Sequence, residues 1–78
     1  MIFTEREKEV IGLMRFGYTN AQIAKKINRS VDMVKFHVTQ ILKKTNARNR
    51  VNAIFILTRE GYFDDCVNPI FSDQNENL

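Results

Sequence analysis

The side chains that could take part in catalysis or binding are concentrated in residues 30–44, SVDMVKFHVTQILKK. His37 is the one histidine of the chain and Cys66 its one cysteine. Together they cannot provide the four protein ligands of a structural zinc site, and a single cysteine forms no internal disulfide. No motif pairs His37 with a nucleophile and an orienting group. The sequence therefore predicts no catalytic residue, no metal site, no cofactor and no small-molecule ligand, and we do not expect an enzyme.

Residues 30–44 also carry an aromatic ring in an unexpected place. If the segment is a helix, about 100° per residue brings its aliphatic side chains to one core-facing side. Phe36 then points almost directly away from that side, with Met33 close beside it and Lys35 on the flank. The sequence thus predicts an outward-facing phenylalanine among lysines. The core-facing side consists of Val31, Val34, Val38, Ile41 and Leu42.

Helix-start signals predict the elements that must position these residues. Ser, Thr and Asn are favoured at helix starts, whereas Gly and Asn are favoured where helices end. Such signals alternate along the chain and predict four helices joined by short turns. The starts are Thr4 (in a capping box with Glu7), Thr19 or Asn20, Ser30 and Asn49, and the interruptions fall at Gly17, Asn28 and Arg29, residues 45–48 and Gly61.

A short helix, a turn of about three residues and a longer capped helix are the pattern of a helix-turn-helix motif. We expect this motif at about residues 20–39, with the recognition helix at about 30–44 and a dimerisation helix at about 49–60. The second helix of such a motif enters the major groove of DNA. The predicted fold is all-α, a four-helix helix-turn-helix domain over residues 1–63 followed by an acidic, flexible tail over residues 64–78.

The net charge of the chain changes sign at the same boundary, between residues 63 and 64. Residues 1–63 hold all 12 Lys and Arg residues against five Asp and Glu residues, a net charge of +7. Residues 64–78 hold four acidic residues and no basic one, a net charge of −4. The basic domain indicates a polyanionic partner, although a basic surface also serves solubility alone.

No targeting or membrane segment is evident in the sequence. No apolar run has the length of a membrane span, and no basic segment is followed by an apolar one at the start. The single thiol fits a reducing compartment. We therefore expect a cytoplasmic protein with no membrane partner.

Four spaced groups of residues stand out between residues 3 and 57. They are Thr4-x-Arg6-Glu7-x-Glu9-Val10-Ile11, Gly17-x-Thr19-Asn20-x-x-Ile23-Ala24, Ser30-x-x-x-Val34-Lys35-x-His37 and Asn49-Arg50-x-x-Ala53. In order and spacing these groups resemble the LuxR/FixJ-type domain of bacterial transcription regulators, also called the GerE-type domain. Because many positions agree over most of the chain, the resemblance is far more specific than a lone motif.

The resemblance implies a sequence-specific, duplex-DNA-binding transcription regulator that acts as a homodimer. In that family the third helix reads the major groove and the fourth mediates dimerisation on paired half-sites. Glu7, Ile11 and Gly17 match positions that hold the family's fold together. Carried over by position, the resemblance implies base contacts by Lys35, Phe36 and Thr39, and phosphate contacts by Asn20, Ser30, His37, Lys43 and Lys44.

Some positions depart from the family pattern, and most of them lie on the proposed DNA-facing side. These departures bear on the target sequence more than on the fold. Members usually carry an N-terminal receiver or ligand-sensing domain, whereas here the first helix follows Met1 almost at once, which resembles a stand-alone member or an excised fragment. The departing positions are Arg29, Met33, Phe36, Thr39 and Thr45.

The fourth predicted helix is apolar on two sides, which indicates burial on both. We assign the side of Ala53, Ile56 and Leu57 to a dimer interface, because a monomer would contact too few base pairs for useful affinity. The alternative is that the chain itself covers this side. A different side of the helix holds Val51, Ile54 and Phe55. In the alternative, the side of Ala53, Ile56 and Leu57 is covered by Tyr62, Phe63, Ile70 or Phe71.

Further alternatives remain open. Arg50 either reaches a phosphate or pairs with Glu7 or Glu9 across the domain, and we favour the pair. The chain could instead be an interaction module that heterodimerises with a larger regulator through helix four and inhibits it, or the promoter-reading part of a sigma factor. The expected partners are therefore double-stranded DNA, a second copy of the chain, and a regulator or RNA polymerase.

Overall fold

Four α-helices joined by short turns make up residues 1–64, the part of the chain that this computed structural model describes. The helices are α1 (Glu5–Met14), α2 (Asn20–Ile27), α3 (Val31–Thr45) and α4 (Arg50–Arg59). The described residues contain no strand and no helix long and apolar enough to cross a membrane. The predicted all-α, four-helix fold is confirmed. The predicted acidic tail over residues 64–78, apart from Asp64, and the alternative cover by Ile70 or Phe71 lie outside the described residues.

Reciprocal hydrogen bonds between the N-cap residue and the third helical residue cap the first turns of α1 and α2. At α1 the Glu7 N–H donates to Thr4 Oγ1 at 3.1 Å, and the Thr4 N–H donates to Glu7 Oε1 at 2.9 Å. Thr19 and Gln22 make the same pair of bonds at α2, at 3.2 and 2.8 Å. Thr19, rather than Asn20, is therefore the N-cap of α2. Each capping box satisfies N–H groups that have no partner within the helix.

Two asparagines in the left-handed backbone region end α2 and α3. Asn28 (φ 57°, ψ 51°) ends α2, and the Arg29 N–H donates back to the Ala24 carbonyl at 2.9 Å. Asn46 (φ 58°, ψ 38°) ends α3 in the same backbone conformation. Asparagine visits this region more readily than most residues. The chain therefore passes from Asn28 to the Ser30 N-cap of α3 in a tight turn, which completes a helix-turn-helix.

Helix α3 packs against α1, α2 and α4 around one apolar core. Val34 and Ile41 are fully buried as predicted, but Val31, which was also expected in the core, is exposed. The reason is its position: Val31 is the first residue of α3, and its neighbours Ser30 and Asp32 are exposed too. Each large aliphatic side chain removed from water contributes about 1.5–3 kcal/mol. The largest fully buried side chains are Val10, Ile11, Ile23, Val34, Ile41 and Leu57.

Helix α4 buries the side that the sequence assigned to a dimer. Ala53 and Leu57 are 0% exposed, and Phe63 joins the same core as Leu57. The prediction that Ala53 and Leu57 form a dimer interface is therefore wrong, because helical periodicity reveals two apolar sides without showing which one meets the core. Of the residues proposed as an alternative cover, Phe63 is buried in the same core as Leu57, and Tyr62 is half-buried, as is Ile56.

Candidate nucleic-acid interface

One side of α3 faces solvent along the helix and forms a continuous surface. Phe36 is 56% exposed and Met33 is 43% exposed, which confirms that these apolar side chains point away from the core. Charged and polar side chains surround them at helical spacing. We call this surface the outer face of α3, and it consists of Asp32, Met33, Lys35, Phe36, Thr39 and Lys43, all of which are exposed.

Phe36 is the most prominent apolar group on the outer face of α3. Its ring contacts the ring of His37 edge to face, with the two centroids 5.6 Å apart. More than half of the Phe36 side chain nevertheless remains in water, next to an exposed Met33. Apolar surface of this kind, bordered by polar groups, is typical of a contact site for another molecule. In a major groove, it would suit the methyl group of thymine.

Lys35 extends from the same face with its ammonium group unused. The ammonium makes no hydrogen bond and no ion pair within residues 1–64. A lysine ammonium has three N–H donors and no acceptor, so it suits guanine O6 and N7 or a phosphate oxygen. The structure therefore leaves these donors free next to the Phe36 ring.

The hydroxyl proton of Thr39 takes part in a hydrogen bond within α3. Its Oγ1 donates to the carbonyl oxygen of Lys35, one turn earlier, at 3.0 Å. This back-bond is common for threonine within helices and fixes the side-chain rotamer. A base contact by Thr39 is thereby restricted to its methyl group or to the remaining lone pairs of Oγ1.

Three of the five residues assigned to phosphate keep a donor available. Ser30 Oγ accepts the Met33 N–H at 3.1 Å as the N-cap, so its own hydroxyl proton is not used by the cap. Asn20 Oδ1 accepts from Arg50 at 2.6 Å, which leaves the Asn20 amide N–H groups as donors. Lys43 is exposed and has no ion-pair partner in the described part of the chain. Each of these groups can donate to a phosphate oxygen.

Lys44, the fourth of these residues, forms an ion pair with the buried carboxylate of Glu7. Its Nζ lies 2.6 Å from Glu7 Oε1, and Glu7 is only 4% exposed. The same oxygen accepts the Thr4 N–H at 2.9 Å. The ion pair joins the last turn of α3 to the first turn of α1. Sequence reasoning missed it, because the two residues are 37 positions apart.

The environment of Glu7 lowers the pKa of its carboxyl group. Burial acts in the opposite direction and alone would raise the pKa, because it penalises the charged form. The hydrogen bonds from Lys44 and the Thr4 N–H and the electrostatic interactions with Lys44 and His37 together outweigh burial, so the pKa of Glu7 is lowered. Glu7 is therefore ionised at neutral pH, and its contact with Lys44 joins two full charges.

His37, the fifth residue assigned to phosphate, turns one ring nitrogen away from solvent. Its Nε2 is buried and has no hydrogen-bond partner among the residues described. A phosphate contact by His37 therefore depends on Nδ1. No group of three or more His, Cys, Asp or Glu side chains within residues 1–64 could hold a metal ion, so the ring belongs to no such cluster.

Arg50 anchors the start of α4 to the start of α2. Its Nη1 donates to Asn20 Oδ1 at 2.6 Å, and its Nη2 donates to the Tyr18 carbonyl at 2.9 Å. The predicted pair with Glu7 or Glu9 is wrong, because Glu7 binds Lys44 and Glu9 binds Arg6. The structural role expected of Arg50 remains, with different partners. No local sequence signal identifies these partners, since Asn20 lies 30 residues away.

A second exposed apolar surface lies on α4. Val51 is 76% exposed and Phe55, one helical turn later, is 59% exposed. Val51 also borders an open cleft of about 550 Å³ between α4 and the α1–α2 turn, whose lining includes Met14, Tyr18 and Ile54. We call Val51 and Phe55 the α4 patch. It lies on the side of α4 opposite to the buried side.

Comparison with known proteins identifies a family for this arrangement. The family model described as bacterial regulatory proteins, luxR family, matches residues 1–57. That range includes all of α1, α2 and α3 and most of α4. The outer face of α3 and the α4 patch both lie within the matched residues.

Curated bacterial proteins are similar over the same part of the chain. An uncharacterized transcriptional regulatory protein of Bacillus subtilis, YxjL, is 44% identical over 59 residues, which cover 76% of this chain and 27% of that protein. The nitrate/nitrite response regulator protein NarP of Escherichia coli is 37% identical over 59 residues, with the same coverage of 76% and 27%. The transcriptional regulatory protein DegU of Brevibacillus brevis is 39% identical over 61 residues, 78% of this chain and 26% of that protein. The chain thus spans about a quarter of the length of these relatives.

Proposed function

Because the chain belongs to the luxR family of bacterial regulatory proteins, we propose that it binds duplex DNA in a sequence-specific manner and regulates transcription as a homodimer. The observation that carries this proposal is the outer face of α3. There Lys35 and Phe36 are exposed side by side, and the Lys35 ammonium has no hydrogen-bond or ion-pair partner in the described residues. The outer face of α3 thus presents a cation, an apolar group and polar groups, which are the types of side chain that contact base edges.

In this proposal α3 enters the major groove. Lys35 donates to guanine O6 and N7, and the Phe36 ring contacts a thymine methyl. Thr39 contacts a base through its methyl group, since its hydroxyl proton is given to the Lys35 carbonyl. The helix has 15 residues and is therefore about 22 Å long, enough to cross the groove.

Phosphate contacts hold the domain in register in this proposal. Asn20, Ser30 and Lys43 are the preferred contacts, because each keeps a free donor. Lys44 contributes mainly through the Glu7 pair, and His37 only through Nδ1. Since contacts to phosphate release counterions, binding should weaken steeply as salt is added.

We assign the homodimer contact to the α4 patch in place of the buried residues. Val51 and Phe55 are the most exposed apolar side chains of α4, and half-buried Ile54 and Ile56 flank them. Of the interface first predicted, only Ile56 retains accessible surface. A symmetric dimer would place two α3 helices in successive major grooves, with half-sites about 10 base pairs apart or a multiple of that spacing. As part of the same proposal, the protein acts in the cytoplasm, where bacterial DNA lies.

The α4 patch also supports a second candidate function. An exposed apolar patch could dock a larger regulator instead of a second copy, and the chain would then act as an inhibitor by heterodimerisation. The free Lys35 favours DNA binding, because an inhibitor needs no base-contacting side chain. The family is one of regulators and not an enzyme class, and we propose no reaction.

The experiment that tests the proposal is selection of bound sequences from a random duplex pool at fixed salt concentration. We expect enrichment of a palindrome whose half-sites are one helical turn apart, or a multiple of it. Enrichment of a single half-site would support DNA binding without the dimer. A pool that remains random after repeated rounds would contradict sequence-specific binding.

A further inference from the structure

Among the acidic side chains within the four helices, Asp32 alone makes no ion pair. Its carboxylate is exposed and makes no hydrogen bond and no ion pair within residues 1–64. Every glutamate in the same part of the chain is paired with a basic side chain. The pairs are Glu5 with Lys8 at 3.2 Å, Glu7 with Lys44 at 2.6 Å, Glu9 with Arg6 at 2.8 Å and Glu60 with Arg59 at 3.9 Å.

The position of Asp32 places it on the outer face of α3. It is the second residue of the helix, three positions before Lys35 and four before Phe36. At about 1.5 Å of rise per residue, Asp32 and Phe36 lie about 6 Å apart along the helix axis and project from nearly the same side. The N-terminal residues of a recognition helix are the ones that contact base edges. Asp32 would therefore meet the same groove as Lys35 and Phe36.

A carboxylate at this point has two physical consequences. The positive end of the helix dipole favours it in the free protein. Close to two phosphate backbones, however, an unpaired negative charge is repelled unless it receives a hydrogen bond. Asp32 therefore opposes DNA binding wherever the groove offers no donor.

We propose that Asp32 selects cytosine, by accepting a hydrogen bond from the exocyclic N4 amine in the major groove. Guanine and thymine present only acceptor atoms and a methyl group there, and adenine places its N7 acceptor next to its one donor. Cytosine alone offers an amine without a neighbouring acceptor on the same base. This inference rests on the proposed entry of α3 into the major groove, and it adds a base preference to it.

The test compares Asp32→Ala with Glu5→Ala in the full chain, by selection from a random duplex pool. Both substitutions remove one exposed carboxylate from the first turn of a helix, but Glu5 lies on α1. We expect the unchanged protein to enrich cytosine at one position of each half-site. Asp32→Ala should lose that preference by about 5- to 100-fold while the other positions stay unchanged. Glu5→Ala should keep all preferences.

Asp32→Asn gives a second, independent result. The asparagine amide can donate an N–H to adenine N7 and accept from the adenine N6 amine through its carbonyl oxygen. The preferred base at the same position should therefore change from cytosine to adenine. Because the Asp32 side chain is exposed and has no hydrogen-bond or ion-pair partner in the described residues, both variants should fold, and circular dichroism checks this.

Two outcomes would overturn the inference in different ways. If Asp32→Ala binds all duplexes more tightly, as Glu5→Ala does, with base preferences unchanged, Asp32 acts only through charge and the helix dipole. The proposed function then stands, because the unchanged protein still enriches its site. If the unchanged protein enriches no sequence, the proposed function fails, and the inference about Asp32 fails with it.

Discussion

The Lys44 ammonium lies 2.6 Å from Glu7 Oε1 and joins the last turn of α3 to the first turn of α1. Glu7 also completes the capping box of α1 through the Thr4 N–H. One buried carboxylate therefore fixes both the start of α1 and the C-terminal part of α3. Together with the packing of α3 on the other three helices, this contact holds the helix that presents Lys35 and Phe36.

Replacing Glu7 by Gln should destabilise the domain. The substitution leaves the Lys44 ammonium without a counter-charge in a site where 33% of its side chain is exposed. We expect the free energy of unfolding to fall by about 1–3 kcal/mol in urea titrations. Glu9→Gln is the matched control, because its pair with Arg6 is exposed and should be worth about 0–1 kcal/mol. Equal losses in the two variants would contradict a structural role for the Glu7 pair.

The same pair should make stability depend on pH. Because folding lowers the pKa of Glu7, the folded state binds this proton less readily than the unfolded state, so the contribution is present above the unfolded value, about 4.3. It is lost as the pH falls through the lowered pKa of the folded state. The difference in unfolding free energy between the unchanged protein and Glu7→Gln should therefore shrink in acid. A difference that stays constant from neutral to strongly acidic pH would contradict this assignment.

The two sides of α4 should respond differently to a charge. Val51→Asp or Phe55→Asp places a carboxylate on the exposed α4 patch, and we expect a folded monomer in sedimentation velocity and circular dichroism. Leu57→Asp places it in the core and should prevent folding, because a buried unpaired charge is strongly unfavourable. A dimer that persists in both patch variants would show that the α4 patch is not the interface.

Phe36→Ala should alter sequence preference with little effect on the fold. The side chain is 56% exposed, so the free energy of unfolding should change by about 0.5 kcal/mol or less. Selected sites should lose a thymine at the position that the ring contacts. A large loss of stability with unchanged selected sites would instead assign Phe36 to packing, for example against residues outside the described part of the chain.

Local sequence signals predicted the helices well. The caps Thr4, Ser30 and Asn49 each bond an N–H three residues later, so both partners lie within one short segment. The outward direction of Phe36 followed from helical periodicity for the same reason. Such features depend on spacing along the chain and not on tertiary contacts.

Contacts between distant segments could not be predicted in this way. The Lys44–Glu7 pair spans 37 residues and the Arg50–Asn20 pair spans 30. From the sequence, both Lys44 and Arg50 had several acidic or polar residues as possible partners. For α4, periodicity gave two apolar sides, and only packing against the core decides that Ala53 and Leu57 face inward. The base and phosphate assignments stay predictions, because they concern a partner outside the chain.

The central claim is that α3 reads DNA sequence through its outer face, and its most direct test is a mobility-shift titration at fixed salt. The selected palindrome and a scrambled duplex are each titrated with the unchanged protein, Lys35→Ala and Lys8→Ala. Lys8 is the control, because its loss removes the same charge from α1, where it pairs with exposed Glu5.

We expect the unchanged protein to prefer the palindrome, and Lys35→Ala to lose about 1–3 kcal/mol of binding free energy on it with the fold intact. Lys8→Ala should keep that preference. Equal affinity of the unchanged protein for both duplexes, or the same small loss in Lys35→Ala and Lys8→Ala, would contradict the claim.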